Sequence, residues 1–332
     1  MNTVLGRPVE PARDGVAPDE RLHHHADNYT SRNYRGQDDL GRVLALWLAA
    51  RASGAADPWP ALDTLHQELV RRPAATGDVQ LWEDPQGRLV GAALLLDGCM
   101  LVQCTAVGAN DEALQSAMIA WGLGRARCTA RAGERPALFV PAGDGDERLA
   151  ALLRRCGLHE DAWRTLRLAR SLRAQVAPPR PAAGVVVRAV AGERDLLAAA
   201  ALHATLFGGG QKGAGERAAV MAAPGYRPGL DLVAALGDGA VVGYALGTCC
   251  VLERERLGQA TGWLEFIGVD REQRGRGIGR ALTLHLLRAM AAEGIKTVWL
   301  TTGAANVAAR RLFEACGFVV RHEVGWYVSA EE

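Results

Sequence analysis

Residues 274–279 read Arg-Gly-Arg-Gly-Ile-Gly, set between a strand pattern over 261–269 and a helix pattern over 277–293. Glycines at this density let the backbone turn tightly and bring bare amides close to a ligand. The helix that follows aims its free N–H groups, and the positive end of its dipole (about +0.5 charge), at the same spot. Arg274, Arg276 and Arg280 add cationic forks. Together these features predict a pocket for a diphosphate or similar anion, with a ligand-free turn as the alternative.

Spacing excludes two other phosphate sites. Gly275-x-Gly277-x-Gly279 is not Gly-x-Gly-x-x-Gly, and no acid closes the strand at 297–302, which argues against a dinucleotide fold. No Gly-Lys-Ser/Thr occurs, so there is no P-loop.

Working outward, the chain contains a diverged internal repeat. Arg32-x-x-x-Gly36-x-x-Asp39-Leu40 returns as Arg188-x-x-x-Gly192-x-x-Asp195-Leu196. Gly87-x-Leu89-Val90-Gly91-x-Ala93-Leu94 returns as Gly239-x-Val241-Val242-Gly243-x-Ala245-Leu246. Leu152-Leu153-x-x-Cys156-Gly157-Leu158 returns as Leu312-Phe313-x-x-Cys316-Gly317-Phe318. Between the copies, residues 175–184 carry Pro178, Pro179 and Pro181, a stiff linker. The expected division is a disordered leader over 1–29, a first domain over 30–172, the linker over 173–184, and a second domain over 185–332.

The second copy predicts strands at 185–190, 231–236, 240–250, 261–269 and 297–302, with helices at 193–206 and 277–293 and a short one near 216–222. Leu282, Leu286, Ala289 and Met290 make the apolar stripe of the helix after the loop. Strand, helix, strand implies one parallel pair joined by a right-handed crossover. Asn306 suits a helix N-cap, Gly317 stops that helix, and residues 318–328 are expected to close the sheet.

At 332 residues two domains are expected, and the composition (49% hydrophobic, 23% charged) is that of a soluble globular protein. A net charge of +1 gives no general attraction to nucleic acid or membrane. Seven cysteines without framework spacing, including the adjacent Cys249 and Cys250, suggest reduced thiols and a cytoplasmic protein. No apolar run reaches the ~18 residues of a spanning helix. His23-His24-His25 has no partner ligands at useful spacing, so no metal is expected.

These residues resemble the GNAT superfamily of acyl-CoA-dependent N-acetyltransferases. The family's Arg/Gln-x-x-Gly-x-Gly/Ala is matched by Arg274-x-x-Gly277-x-Gly279, and its later Asn-x-x-Ala, aromatic, Gly-Phe signature by Asn306-x-x-Ala309, Phe313 and Gly317-Phe318. The resemblance covers residues 185–330 well, while 30–172 resemble a degenerate copy. It implies an α/β (α+β) fold: two tandem GNAT-like domains, each a mixed, mostly antiparallel sheet flanked by helices. The layout with one worn half is similar to that of mycothiol synthase. In the first half, Val107-Gly108-Ala109-Asn110-Asp111-Glu112-Ala113 stands where the loop should be, and its acids would repel a diphosphate. The first domain is therefore expected to be structural.

The resemblance implies acetyl-CoA as co-substrate and an amine as acceptor. Its contacts would come from Ile267, Gly268, Val269, Arg274, Gly275, Arg276, Gly277, Ile278, Gly279, Arg280, Asn306 and Phe313, with the backbone near Ile267 and Val269 pairing with the pantetheine arm like an added strand. Glu265 is the expected catalytic base, sharing strand parity with Trp263, Ile267 and Val269; a salt-bridged strand carboxylate is the alternative. Where many relatives place a tyrosine to protonate the leaving thiolate, this chain has Phe313. Tyr327 and Cys316 are substitutes to weigh, though each also reads as packing, and His285 reads as core-edge. Phe313 keeps open a non-catalytic acyl-CoA-binding or sensing protein. The acceptor cleft is expected from 206–230, with Gly208-Gly209-Gly210 and with Tyr226 or Arg227 as contacts. A monomer and a homodimer are both compatible with a tandem pair.

Overall fold

The computed structural model describes residues 28–54, 60–72, 76–106, 111–129, 136–207, 217–218 and 220–329. The leader with its histidine run, Val107–Asn110 of the first-half loop, and the 208–216 stretch with Gly208, Gly209, Gly210 and Lys212 lie outside the described residues.

The chain forms two compact units, one of Thr165–Arg321 and one of the described residues up to Arg164 together with those from His322 onward. In the first-half unit, β1 (Thr30–Asn33), β2 (Val79–Glu83), β3 (Leu89–Leu96) and β4 (Met100–Thr105) pair in sequence order, antiparallel. β4 then pairs in parallel with β5 (Phe139–Gly143), and β5 pairs antiparallel with β12 (Val319–Ser329). Its helices are α1 (Gln37–Ala52), α2 (Leu62–Arg71), α3 (Glu112–Thr129) and α4 (Glu147–Arg155).

The second-half unit repeats this plan. β7 (Val185–Ala189), β8 (Tyr226–Leu236), β9 (Val241–Cys249) and β10 (Thr261–Val269) pair antiparallel in turn. β10 pairs in parallel with β11 (Thr297–Gly303), which pairs antiparallel with the Thr165–Ser171 part of β6 (Leu158–Ser171). Its helices are α5 (Gly192–Phe207), α6 (Val251–Leu257), α7 (Ile278–Ala292) and α8 (Val307–Ala315).

Each unit is therefore finished by a strand from the other half of the sequence. Residues 318–328 do not close the second sheet as expected. Val324 to Val328 pair with β5, and Tyr327 is buried among Trp82, Leu95 and Val140. Leu166 and Leu168 of β6 supply the missing strand and sink into the second core. The proline segment lies inside the second unit, where Val176 is buried and its carbonyl accepts from Arg288 Nη1 at 3.3 Å. Helix α6, absent from the sequence reading, fills the β9–β10 connection and ends on Gly258 in the left-handed conformation.

The repeated Arg-x6-Asp motif has a structural cause. Arg32 grips Asp39 through Nη1 and Nη2 at 2.6 and 2.7 Å, and the Arg35 amide donates to the same carboxylate at 2.8 Å. Arg188 grips Asp195 likewise, Nη2 at 3.0 Å, with the Ala191 amide at 2.8 Å. In both copies the pair staples the first strand to the start of the following helix.

Candidate functional site

The loop of 270–277 is built from short-range bonds. Asp270 accepts from the Glu272 amide at 2.8 Å and so caps the 3-10 turn Arg271–Gln273. Gly275 and Gly277 then take φ of 77° and 78°, the left-handed region, with open space where a Cβ would stand. Glycine is needed there for backbone conformation, not for room.

Helix α7 begins at Ile278 without a side-chain cap and without an acid in its first turn. Among the described helices it is alone in lacking both: α1, α2, α3, α4, α5 and α6 carry an acid there, and Asn306 caps α8. Its first internal bond runs from the Ala281 amide to Gly277 O, at 3.0 Å. The amides of Ile278, Gly279 and Arg280 precede that bond and point out of the helix end. The arginines ring this end exposed. Arg274 Nε donates to Val269 O at 3.2 Å, and Arg276 bonds Gln273 and Ala183 O, the latter at 3.1 Å.

The corresponding helix of the first half is closed. Asp111 accepts from the Ala113 and Leu114 amides at 2.8 and 3.3 Å, and from the Tyr29 hydroxyl. The carboxylate occupies the donors that an anion would need, and Glu112 is paired with Arg155.

Beside the loop, β10 parts from β11. Their parallel rungs are Thr261↔Thr297, Gly262↔Val298 and Trp263↔Trp299. Past Trp263 the rungs of β10 run to β9, so alternate backbone groups up to Val269 face an opening. A β-bulge sits at Glu265, between the rungs Leu264↔Gly247 and Phe266↔Leu246.

The bulge corrects the parity reading. Leu264, Ile267 and Val269 pack into the cluster beneath α7. Glu265 lies on the other face, where Thr248 Oγ1 donates to it at 2.6 Å. It shares that face with Phe266, which packs near Tyr244 and Leu202. Glu265 is half-buried, and that burial pushes its carboxyl above the usual range, while the Thr248 hydroxyl pulls it partway back.

Several of the expected contact residues also have packing or capping roles. A Cβ on Gly268 would stand 2.5 Å from Leu206 Cδ1 and 2.9 Å from Tyr244 Cε1, so the strand closely approaches α5 there. Ile278 is buried, which leaves only its amide to the loop. Asn306 uses its side chain on the Ala309 amide at 3.1 Å. The Phe313 ring is 3% exposed, in the core against Phe318. Tyr327 belongs to the other unit, where Arg154 donates to its hydroxyl at 3.1 Å, and Cys316 is buried with its thiol pushed up by burial. His285 is held below its usual value by burial and Arg288.

On the acceptor side, Arg227 donates to Pro224 O and Tyr226 O, both at 2.8 Å, and so holds its own turn. Tyr226 donates to Asp231 at 3.2 Å, and buried Asp231 is paired with buried Arg217 through Nη2 at 2.5 and 2.6 Å. His203 Nδ1 lies 2.5 Å from Tyr244 Oη. Thr248, the Trp263–Trp299 pair and this polar cluster were not foreseen; strand alternation alone could have put Thr248 opposite the α7 face.

Residues 211–318 match the acetyltransferase (GNAT) family model. That stretch, within the second-half unit, is what the chain has in common with the GNAT family. A mycothiol acetyltransferase of Thermobispora bispora is 47% identical over 57 residues, 17% of this chain and 19% of that protein. One from Kineococcus radiotolerans is 33% identical over 57% of this chain and 60% of its own length. The matched stretches thus span about a fifth of the first relative and under two thirds of either. Among solved structures, a GCN5-related N-acetyltransferase from Sphaerobacter thermophilus superposes with a TM-score of 0.72 at 19% identity, over 91% of this chain and 95% of that one. A tandem GNAT protein from the clavulanic acid biosynthesis pathway gives 0.69 at 18% identity, over 92% and 99%. These likenesses establish a tandem GNAT fold. Among the described residues no helix is long and apolar enough to cross a membrane, and no group of three or more potential metal ligands occurs.

Proposed function

We propose that the second-half unit transfers an acetyl group from acetyl-CoA to a primary amine. The observation that carries this reading is the open start of α7, the one described helix lacking both cap and acid, beside a strand edge that its neighbour abandons. The amides of Ile278, Gly279 and Arg280, with the arginines of the loop, would hold the diphosphate. The open edge of β10 from Ile267 to Val269 would hold the pantetheine arm. When bound, acetyl-CoA supplies a thioester whose acyl carbon an amine can attack, with release of the thiol.

Glu265 would take the proton that the amine loses as its new C–N bond forms. A lysine-like ammonium of pKa ~10.4 is neutral about once in 2,500 at pH 7, a deficit of roughly 4.6 kcal/mol. A terminal α-amine of pKa ~7.7–8 lacks only about 1 kcal/mol. A carboxylate raised by burial is a stronger base than an ordinary one, which suits the first kind of acceptor. With the Phe313 ring in the core, the departing sulfur would take its proton from solvent.

The reading places the protein in the cytoplasm, as a monomer or homodimer, without nucleic-acid or membrane partners. The first-half unit would have a structural role, since Asp111 fills its helix end. A mycothiol-type acceptor is carried over from the relatives' names alone. Phe313 favours a second reading, binding of acyl-CoA without turnover. Titrating acetyl-CoA and then measuring thiol release with an amine panel separates the two: binding with release supports transfer, and binding without release under every amine supports the sensor.

A further inference from the structure

The last rung before β10 and β11 part is Trp263↔Trp299. Their rings are stacked, centroids 6.4 Å apart and planes 27° from parallel, and Trp263 is 5% exposed. Val298 and Leu300 lie in the cluster beneath α7, so Trp299 projects to the opposite face. Leu264 lies in the same cluster, so Trp263 and Glu265 both project away from it, together with Trp299. Two residues of strand separate Glu265 from Trp263, about 7 Å. The apex of the opening is thus closed, one short step past the carboxylate, by two of the bulkiest side chains available.

We infer that Trp263 and Trp299 set the length of the acyl group, admitting acetyl and propionyl and stopping longer chains. The inference rests on the reading that the carrier's arm lies along β10. An acyl chain that runs on past Glu265 toward the apex meets a packed pair of indoles. Interiors at native density do not absorb added methylenes without displacing side chains. A pair serving the core alone would leave binding indifferent to acyl length, so chain length is the variable that separates the two roles.

The test is calorimetry on the full-length protein with coenzyme A, acetyl-CoA, butyryl-CoA and hexanoyl-CoA, for the unaltered protein, Trp299→Ala and the milder Trp263→Leu. The unaltered protein is expected to bind hexanoyl-CoA at least about tenfold more weakly than acetyl-CoA. The variants are expected to erase or reverse that ratio while coenzyme A itself binds within about twofold of the unaltered protein. Coenzyme A bound normally with one unchanged chain-length order in all three proteins overturns this inference alone, as does hexanoyl-CoA bound by the unaltered protein as tightly as acetyl-CoA. No heat with coenzyme A itself overturns the carrier reading and this inference together.

Discussion

Thr248 on β9 donates a 2.6 Å hydrogen bond to Glu265, at the bulge of β10. The bond lowers the carboxyl that burial raises. Thr248→Val, which keeps the shape and removes the donor, should push Glu265 further up. The acidic limb of kcat/KM against pH is then expected to move to higher pH, with the plateau nearly unchanged. An unmoved limb would detach this pair from the proton transfer.

Glu265→Gln should depress thiol release at neutral pH and recover as pH rises and the amine deprotonates unaided. Coenzyme A affinity should be unchanged. Because the folded carboxyl is raised, its protonated form favours folding below the unfolded value, and that contribution fades as pH rises through the folded one. Glu265→Gln should therefore melt higher than the unaltered protein at alkaline pH, with the difference vanishing in acid. Thermal melts from pH 4 to 9 check this.

Asp195 has the opposite sign. Arg188 and the Ala191 amide hold its carboxyl down to about 2. Its stabilisation is complete above the usual carboxylate value and is lost as pH falls from about 4 toward 2. Arg188 is partly exposed, so screening limits the effect to on the order of 1 kcal/mol. Asp195→Asn should cost that much near pH 7 and flatten the acid limb of the stability curve.

Gly277→Ala forces a side chain onto left-handed backbone, at roughly 1–2 kcal/mol. The loop should distort locally, and coenzyme A affinity should fall much more than the melting temperature. Gly268→Ala should do the reverse. Its Cβ would meet Leu206 and Tyr244, so folding suffers by roughly 1–3 kcal/mol. Paired melts and titrations distinguish the two glycines.

Expression of fragments tests the division of the chain. Residues 165–321 contain the Thr165–Ser171 part of β6 with buried Leu166 and Leu168, whereas 185–332 lack it. The first fragment is expected to be soluble and to melt cooperatively, and the second to aggregate through the bare edge of β11. Equal behaviour of the two would refute this division.

The anion loop was legible in sequence because its signals are local: glycine spacing, a helix stripe, and no acid after the loop. The repeat was legible for the same reason, since Arg32–Asp39 and Arg188–Asp195 are contacts seven residues apart. What escaped depends on residues remote in the chain. The bulge at Glu265 shifts a face by one residue and leaves no compositional mark. Gly268, Ile278, Asn306 and Phe313 stand within or near family motifs, yet a motif does not say which members pack and which point outward. Strand exchange is equally silent, because β6 and β12 carry the same alternation whichever sheet they join.

The front half of this polypeptide has filled its own anion cradle with a carboxylate, yet it still carries the strip of backbone, residues 165–171, on which β11 is laced. Mutation is free to wear that copy down one side chain at a time. Excising it whole, residues 165–171 included, would unpick the other copy's seam, so the worn copy could be discarded only if that one strip stayed behind.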